Sequence, residues 1–398
     1  MNTELFGPTA LINKAQKSIL DDAKEVTTSA FGLRPGTTLP VVKNYFVFAG
    51  AGMGDFICYM PAMVWIARNC PWIEGGIYCP EFFIEFAENI MRPYGWRAFD
   101  AAKIKETLPR GVVLTGPGVA IEGKKNVQLL NGTGGHLVDV GHAMMVNRLP
   151  TSDFDRMYPQ IRFSEEWLAP TEAKFRTFLG LPERGQYVVL TPGGVSDNRT
   201  VPGEYWNPII DHIKELGLTP VFLGRSQMSK HLRVSFPDGC RYQDGLDLRD
   251  KTTMLEAAWI MQDAACVLGH DNGLIHLAGC TDAAIIASYG SVHPRERRVF
   301  RKHGKWIELF PESLPCAGCQ THVKKLRFHS FKYCIYKKKN ENGEDVQDLQ
   351  CIDELFSNEA SQWKLAIDCM VDGKGKMSGD EWSRFASQKY GFELFGGE

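Results

Sequence analysis

Four short stretches of this chain carry residue types that can do chemistry together. Gly52-Met53-Gly54-Asp55 puts a carboxylate directly after two glycines, at the head of an apolar run with helical spacing. A carboxylate so placed can take a proton from a hydroxyl, and glycines let a ligand approach the backbone. In Thr191-Pro192-Gly193-Gly194-Val195-Ser196-Asp197-Asn198-Arg199, the glycine pair and the Arg199 cation suit phosphate oxygens. Asp247-Leu248-Arg249-Asp250-Lys251-Thr252-Thr253 is a polar loop whose last threonine is placed to cap a helix. The fourth stretch, from Ala265 to Gly290, reads as strand, tight turn, helix and strand around Asp271-Asn272-Gly273. A helix opening at that turn aims its N–H groups and positive dipole end at an anion such as a diphosphate. Asp271 can reach a ligand hydroxyl, and His276, one turn in, a phosphate oxygen. Each stretch alone is also explained by helix capping and tight turns; the four together point to one cleft.

The elements around them alternate. After an appendage of residues 1–44, with amphipathic spacing from Leu11 to Val26, the pattern predicts a strand at Asn44–Phe48 and a helix at Phe56–Asn69. A strand at Gly76–Cys79, a helix at Glu81–Met91, strands at Gly111–Thr115 and Val127–Leu130, and helices at His136–Leu149 and Ser164–Leu179 follow. The second half restarts with strand Tyr187–Thr191, helix Tyr205–Leu216, strand Thr219–Gly224 and helix Met254–Asp263. Alternation of this kind implies parallel sheets covered on both faces, here as two Rossmann-like domains facing across a cleft. The expected boundaries are 45–180 and 181–352, with a basic, cysteine-containing loop at 295–351 and a helical tail at 353–398 that packs back on the first domain. Asp372 to Glu381 has an EF-hand flavour, but Met370 and Lys374 would occupy ligand positions, which argues against calcium.

The chain of 398 residues is 44% hydrophobic and 23% charged with a formal net charge of −2, which excludes extensive disorder. No apolar run is long enough to span a bilayer, and the N-terminus does not resemble a secretory signal. Eleven cysteines in a long chain fit a reducing, cytoplasmic setting. Charge is uneven: residues 295–339 hold thirteen Lys or Arg against three Glu, a local excess of ten. That excess suggests a polyanionic partner (a phosphorylated glycolipid, an anionic membrane surface or nucleic acid) as well as a plain solvated loop. Cys316, Cys319, Cys334 and Cys351 in the same region can be a structural zinc site, free thiols or a disulfide. His136 and His142 read as structural.

Taken in order, the four stretches resemble glycosyltransferase family 9, the heptosyltransferases that build the lipopolysaccharide core. The family's GxGD turn matches Gly52 to Asp55, its phosphate turn Gly193 to Arg199, and its D-L-x-G-x-T/S segment Asp247 to Thr253, with Asp250 where glycine is usual. Its D-[ST]-G-x-x-H-L-A pattern matches Asp271, Gly273, His276, Leu277 and Ala278, with Asn272 replacing Ser or Thr. The resemblance spans about residues 45–355 and implies a GT-B fold and inverting transfer from a nucleoside-diphosphate sugar, with no cofactor required. It implies Asp55 as general base, with Gly52, Gly54, Gly193, Gly194, Arg199, Thr252, Thr253, Asp271, Asn272, Gly273 and His276 holding the donor. The acceptor would be a glycolipid or polysaccharide hydroxyl, with the enzyme cytoplasmic or peripheral at the inner membrane face. Two alternatives stand beside it: transfer to modified bases of nucleic acid, with Phe328, Phe331, Tyr333 and Tyr336 stacking bases, and a non-catalytic nucleotide-sugar-binding protein.

Overall fold

The computed structural model describes residues 42–48, 52–69, 73–107, 113–115, 138–139, 141–142, 152–196, 199–229, 232–301, 304–319, 334 and 336–372. The expected helix at Leu11–Val26, the strand at Val127–Leu130, most of the helix at His136–Leu149 and the tail beyond Asp372 lie outside them. The chain divides into two compact units, Met1–Ala49 with Trp65–Ala120, and Gly50–Val64 with Ile121–Glu398. The segment carrying Asp55 therefore groups with the second unit.

In the first unit, β1 (Val42–Val47) pairs in parallel with β2 (Ile73–Cys79) on one side and β4 (Val113–Thr115) on the other, and β3 (Arg97–Asp100) adds to β2. The sheet order is β3-β2-β1-β4. Helix α1 (Met53–Asn69), with Pro61 inside it, is divided between the two units after Val64, and α2 (Glu81–Met91) buries Phe83, Phe86, Ala87 and Ile90, residues at helical spacing on one face. β3 was not expected; its Arg-Ala-Phe-Asp sequence has a single large apolar residue, too little for a periodic signal.

The second unit carries six parallel strands in the order β12-β11-β10-β5-β6-β9. They are β5 (Tyr187–Thr191), β6 (Thr219–Phe222), β9 (Leu246–Asp247), β10 (Cys266–His270), β11 (Ile285–Ser288) and β12 (Trp306–Leu309). A small hairpin, β7 (Gln227–Ser229) with β8 (Leu232–Arg233), lies between β6 and β9. Read from β9, this is the doubly wound order 3-2-1-4-5-6, which reverses direction between β5 and β10; ligands of such sheets bind beyond the strand ends at that reversal. Helices α3 (Gly203–Glu215), α4 (Met254–Asp263), α5 (Gly273–Ala278) and α6 (Pro294–Arg297) connect the strands. The tail helix α7 (Ser357–Asp372), kinked by left-handed Asn358, Glu359 and Ala360, packs into the second unit's own core rather than leaving it. Trp363 lies 5.6 Å from Trp206 between ring centroids, and His212 Nε2 lies 2.7 Å from Asp368 Oδ1.

The described residues of the expected basic loop at 295–351 include regular elements. It contains β12 and an antiparallel hairpin, β13 (Lys337–Lys339) with β14 (Asp345–Gln347).

Candidate active site

The site grows from the strand reversal. β5 ends at Thr191 and β10 at His270, so Asp271 and Asn272 emerge next to the turn at Gly193. Asn272 ties the two strand ends together. Its Oδ1 accepts from Leu274 N (3.0 Å) and Ile275 N (3.2 Å), capping α5, while its Nδ2 donates to Thr191 O (2.7 Å), Thr191 Oγ1 (3.1 Å) and Gly193 O (3.3 Å). A Ser or Thr hydroxyl, with one proton, cannot replace that set of donations, which accounts for asparagine here.

Asp271 is buried and meets Arg199 Nη1 at 3.3 Å. Burial alone would raise its pKa, but Arg199 and Arg297 outweigh burial and hold the carboxyl below the usual range. Arg199 is itself steadied by Nε donating to Ser196 Oγ at 3.1 Å. Arg297 closes α6, whose cap His293 accepts from Arg295 N. Its guanidinium interacts with Asp271 and then Asp55, and although burial would lower its pKa these carboxylates raise it. Two carboxylates and two arginines thus form one cluster, and Arg297, counted above only as part of a basic run, belongs to it.

The glycines have a different reason from the expected one. A Cβ on Gly54 would stand 2.9 Å from His276 Cδ2, and one on Gly273 would stand 2.7 Å from Met53 Cβ. The turn before Asp55 and the start of α5 are therefore in direct contact instead of facing across a gap. A Cβ on Gly193 would meet Val234 at 2.7 Å, and one on Gly194 would meet Thr200 Oγ1 at 2.6 Å. Close packing, before any ligand approach, requires these residues to be small.

His276 is buried, and desolvation pushes its pKa down to about 4. It is bonded through Nδ1 to Tyr158 Oη at 2.7 Å, a contact no local pattern could reveal. Thr253 is engaged as a cap: its Oγ1 accepts from Glu256 N and Glu256 Oε2 accepts from Thr253 N at 2.8 Å, with Thr252 just before it. In the same loop Asp250 has φ +59°, the left-handed region, which explains a usual glycine there; the aspartate adds bonds from Ser226 N and Oγ. Asp247 grips Arg249, whose guanidinium lies 3.4 Å from the Tyr242 ring centroid. His142 Nε2 donates to Asp155 O at 2.8 Å, a structural role.

One expectation changes. The basic stretch is not one outward-facing ribbon, because Arg297 turns to the carboxylates, Arg298 pairs with Glu308 at 3.4 Å, and Arg301 donates to Ala283 O (2.6 Å) and Lys305 O (2.8 Å). Lys337 to Lys339 are exposed, while Phe328, Phe331 and Tyr333 lie outside the described residues. Among the described residues no group of three or more His, Cys, Asp or Glu side chains is arranged to hold a metal ion. No disulfide joins Cys316, Cys319, Cys334 and Cys351 to one another, and Cys334 Sγ donates to Asp348 O at 3.2 Å. Burial, then the other three thiols, push Cys351 up to about 12. No described helix is long and apolar enough to cross a membrane.

A doubly wound parallel sheet with carboxylates and arginines at its reversal point is the architecture of an α/β protein that binds a ligand beyond its strand ends. Residues 125–327, just over half of the chain, match the model of Glycosyltransferase family 9 (heptosyltransferase), and the chain belongs to that family. Its fold is similar to the iron-containing dodecameric glycosyltransferase TibC from enterotoxigenic E. coli H10407, at TM-score 0.58 and 16% identity over 85% of this chain and 82% of that one. It is also similar to a family 9 glycosyl transferase from Veillonella parvula DSM 2008, at TM-score 0.53 and 13% identity over 83% of this chain and 99% of that one. No curated protein matches the sequence.

Proposed function

We propose that the chain is an inverting, heptosyltransferase-like enzyme that moves a sugar from a nucleoside-diphosphate sugar to a hydroxyl of a glycolipid or polysaccharide such as a lipopolysaccharide core. The observation that carries this reading is the cluster of Asp55, Asp271, Arg199 and Arg297 at the strand reversal. A TibC structure is described in complex with ADP-D-beta-D-heptose, which makes an ADP-sugar the first donor to test.

In this mechanism Asp55 takes the acceptor hydroxyl's proton as its oxygen attacks the anomeric carbon from the face opposite the diphosphate. The bond from that carbon to the diphosphate oxygen breaks, and its electron pair leaves with the nucleoside diphosphate. Arg199 and Arg297, the N–H groups at Asn272 and Gly273 and the His276 ring hold the charge that develops there. Asp271 pairs with Arg199 until the diphosphate displaces it, and meets a donor hydroxyl. Gly52, Gly54, Gly193, Gly194, Thr252, Thr253, Asn272 and Gly273 shape the donor's surroundings. An acceptor carried on a membrane at its cytoplasmic face would meet the exposed Lys337–Lys339 strand.

Asp55→Asn tests the reading with an ADP-heptose donor and lipopolysaccharide-core acceptor. Turnover should fall by about 10²–10⁴-fold while ADP affinity stays within threefold. A variant that keeps its turnover refutes the base; wild-type protein that binds ADP but transfers no sugar supports the non-catalytic binding protein instead.

A further inference from the structure

The two edges of the His276 ring have different neighbours. Nδ1 lies 2.7 Å from Tyr158 Oη and 3.7 Å from Cys58 Sγ, and Tyr158 Oη lies 3.0 Å from Cys58 Sγ. All three residues are buried. The opposite edge faces the glycine turn: a Cβ on Gly54 would be 3.4 Å from Nε2. Tyr158 is held from several sides. Its N–H donates to Phe300 O at 2.8 Å, and its ring lies 5.9 Å from the imidazole at 30° between planes.

Protons can be shared along this chain in two ways. In one, the Cys58 thiol donates to Oη, the phenol donates to Nδ1, and the ring's own proton sits on Nε2. In the other, Nδ1–H donates to Oη and the phenol's proton goes to sulfur. The first pairs the best donor present, the phenol, with the best acceptor, the imidazole nitrogen; the second gives that proton to sulfur, a weak acceptor.

We propose that Tyr158 is a positioning residue: by donating to Nδ1 it locks His276 as the Nε2–H tautomer, so that a neutral imidazole offers an N–H donor to a diphosphate beside the glycine turn. The diphosphate half rests on the transferase reading; the tautomer lock does not. Because burial keeps the ring neutral at ordinary pH, only one nitrogen carries a proton. The tautomer therefore decides whether the edge near Gly54 attracts or repels a phosphate oxygen.

The test uses the full chain with ¹⁵N-labelled histidine and long-range ¹H–¹⁵N NMR at neutral pH. Wild type should show His276 with Nε2 protonated and Nδ1 bare, and Cys58→Ala should keep that form because the phenol still donates to Nδ1. Tyr158→Phe should populate the Nδ1–H tautomer, and its affinity for ADP should fall about tenfold, the value of one charge-assisted hydrogen bond. An Nδ1–H signal in wild type, or an unchanged Nε2–H signal in Tyr158→Phe, overturns the lock, and the wild-type spectrum decides even if the variant fails to fold. Should the tautomer be as stated while wild type does not bind ADP, the donor reading falls and the lock stands.

Discussion

Asn272→Asp separates two accounts of the turn that opens α5. If residue 272 serves only as a helix cap beside a positive dipole end, aspartate is as good as asparagine or slightly better, by a few tenths of a kcal/mol. The hydrogen bonds say otherwise, because Nδ2 donates to Thr191 O at 2.7 Å and to Gly193 O at 3.3 Å. Replacing that amide with a carboxylate oxygen removes these donations, and the one to Thr191 Oγ1, and turns a negative charge toward two carbonyl oxygens. Each lost bond is worth about 1 kcal/mol and the repulsion adds to it, while partial exposure limits the total, so about 2–3 kcal/mol is expected. Asn272→Ser keeps a cap but donates at most once, and should fall between wild type and Asn272→Asp. Urea unfolding of the three proteins at neutral pH gives the comparison. Because the lost ties hold the Gly193 turn that leads to Arg199, ADP affinity measured by calorimetry should fall as well. An Asn272→Asp protein as stable as wild type would show that the side chain does nothing beyond capping.

Acid should destabilise the protein in a defined window. Burial lowers the pKa of both His270 and His276 to about 4, so between about pH 6.5 and 4 the unfolded chain binds protons that the folded chain does not, and stability falls as pH falls through that range. The loss between pH 7 and 5 should be about 2 kcal/mol per ring, read from urea midpoints, and His270→Gln should remove one share. Gly54→Ala places a methyl 2.9 Å from His276 Cδ2; the overpacking should cost about 1–3 kcal/mol and weaken ADP binding, and a fully stable variant would contradict the packing. Arg297→Met removes the cation that faces Asp271 and Asp55. Its kcat/KM should drop about 100-fold on an ADP-sugar, and a drop under threefold would take Arg297 out of the site.

Periodicity alone was enough for the elements whose faces differ strongly. Glu81–Met91, Tyr187–Thr191 and Met254–Asp263 have the bounds that the apolar spacing predicts. β12 escaped because Glu308 interrupts its apolar residues and the strand sits inside a run counted for its charge; the carboxylate is almost fully covered and answered by Arg298 and by Trp306 Nε1 at 2.9 Å. A charge count carries no direction, so Arg297, Arg298 and Arg301 looked like surface although each is used internally. Tyr158 gave no local signal, since the histidine it serves is 118 positions away. Motif spacing singled out Asp55, Arg199, Asp271 and His276, and the structure pairs Arg199 with Asp271 and packs His276 against Gly54, because helix starts after strands are local events with local residue requirements.

The contact between Gly54 and α5 bears on how such a site can work. The Gly50–Val64 segment groups with the second unit, the one that carries Asp271, Arg199 and Arg297. The proposed base and the proposed diphosphate anchors then belong to one compact body, and their spacing is set by two glycines packed against His276 and Met53. Donor binding has no need to bring Asp55 to the anomeric carbon from elsewhere; what it must displace is the Arg199–Asp271 pair, at 3.3 Å, whose cation is wanted by the phosphates. A surface cation would make that exchange for little. A cation paired to a buried carboxylate makes it only for a ligand that supplies equivalent negative charge, so Asp271 acts as the stand-in that a diphosphate must outcompete. Asp271→Asn should accordingly free Arg199 and tighten inorganic pyrophosphate binding, even as the lost donor contact lowers turnover; weaker pyrophosphate binding in a folded Asp271→Asn protein would show that the carboxylate orients the arginines rather than competing for them.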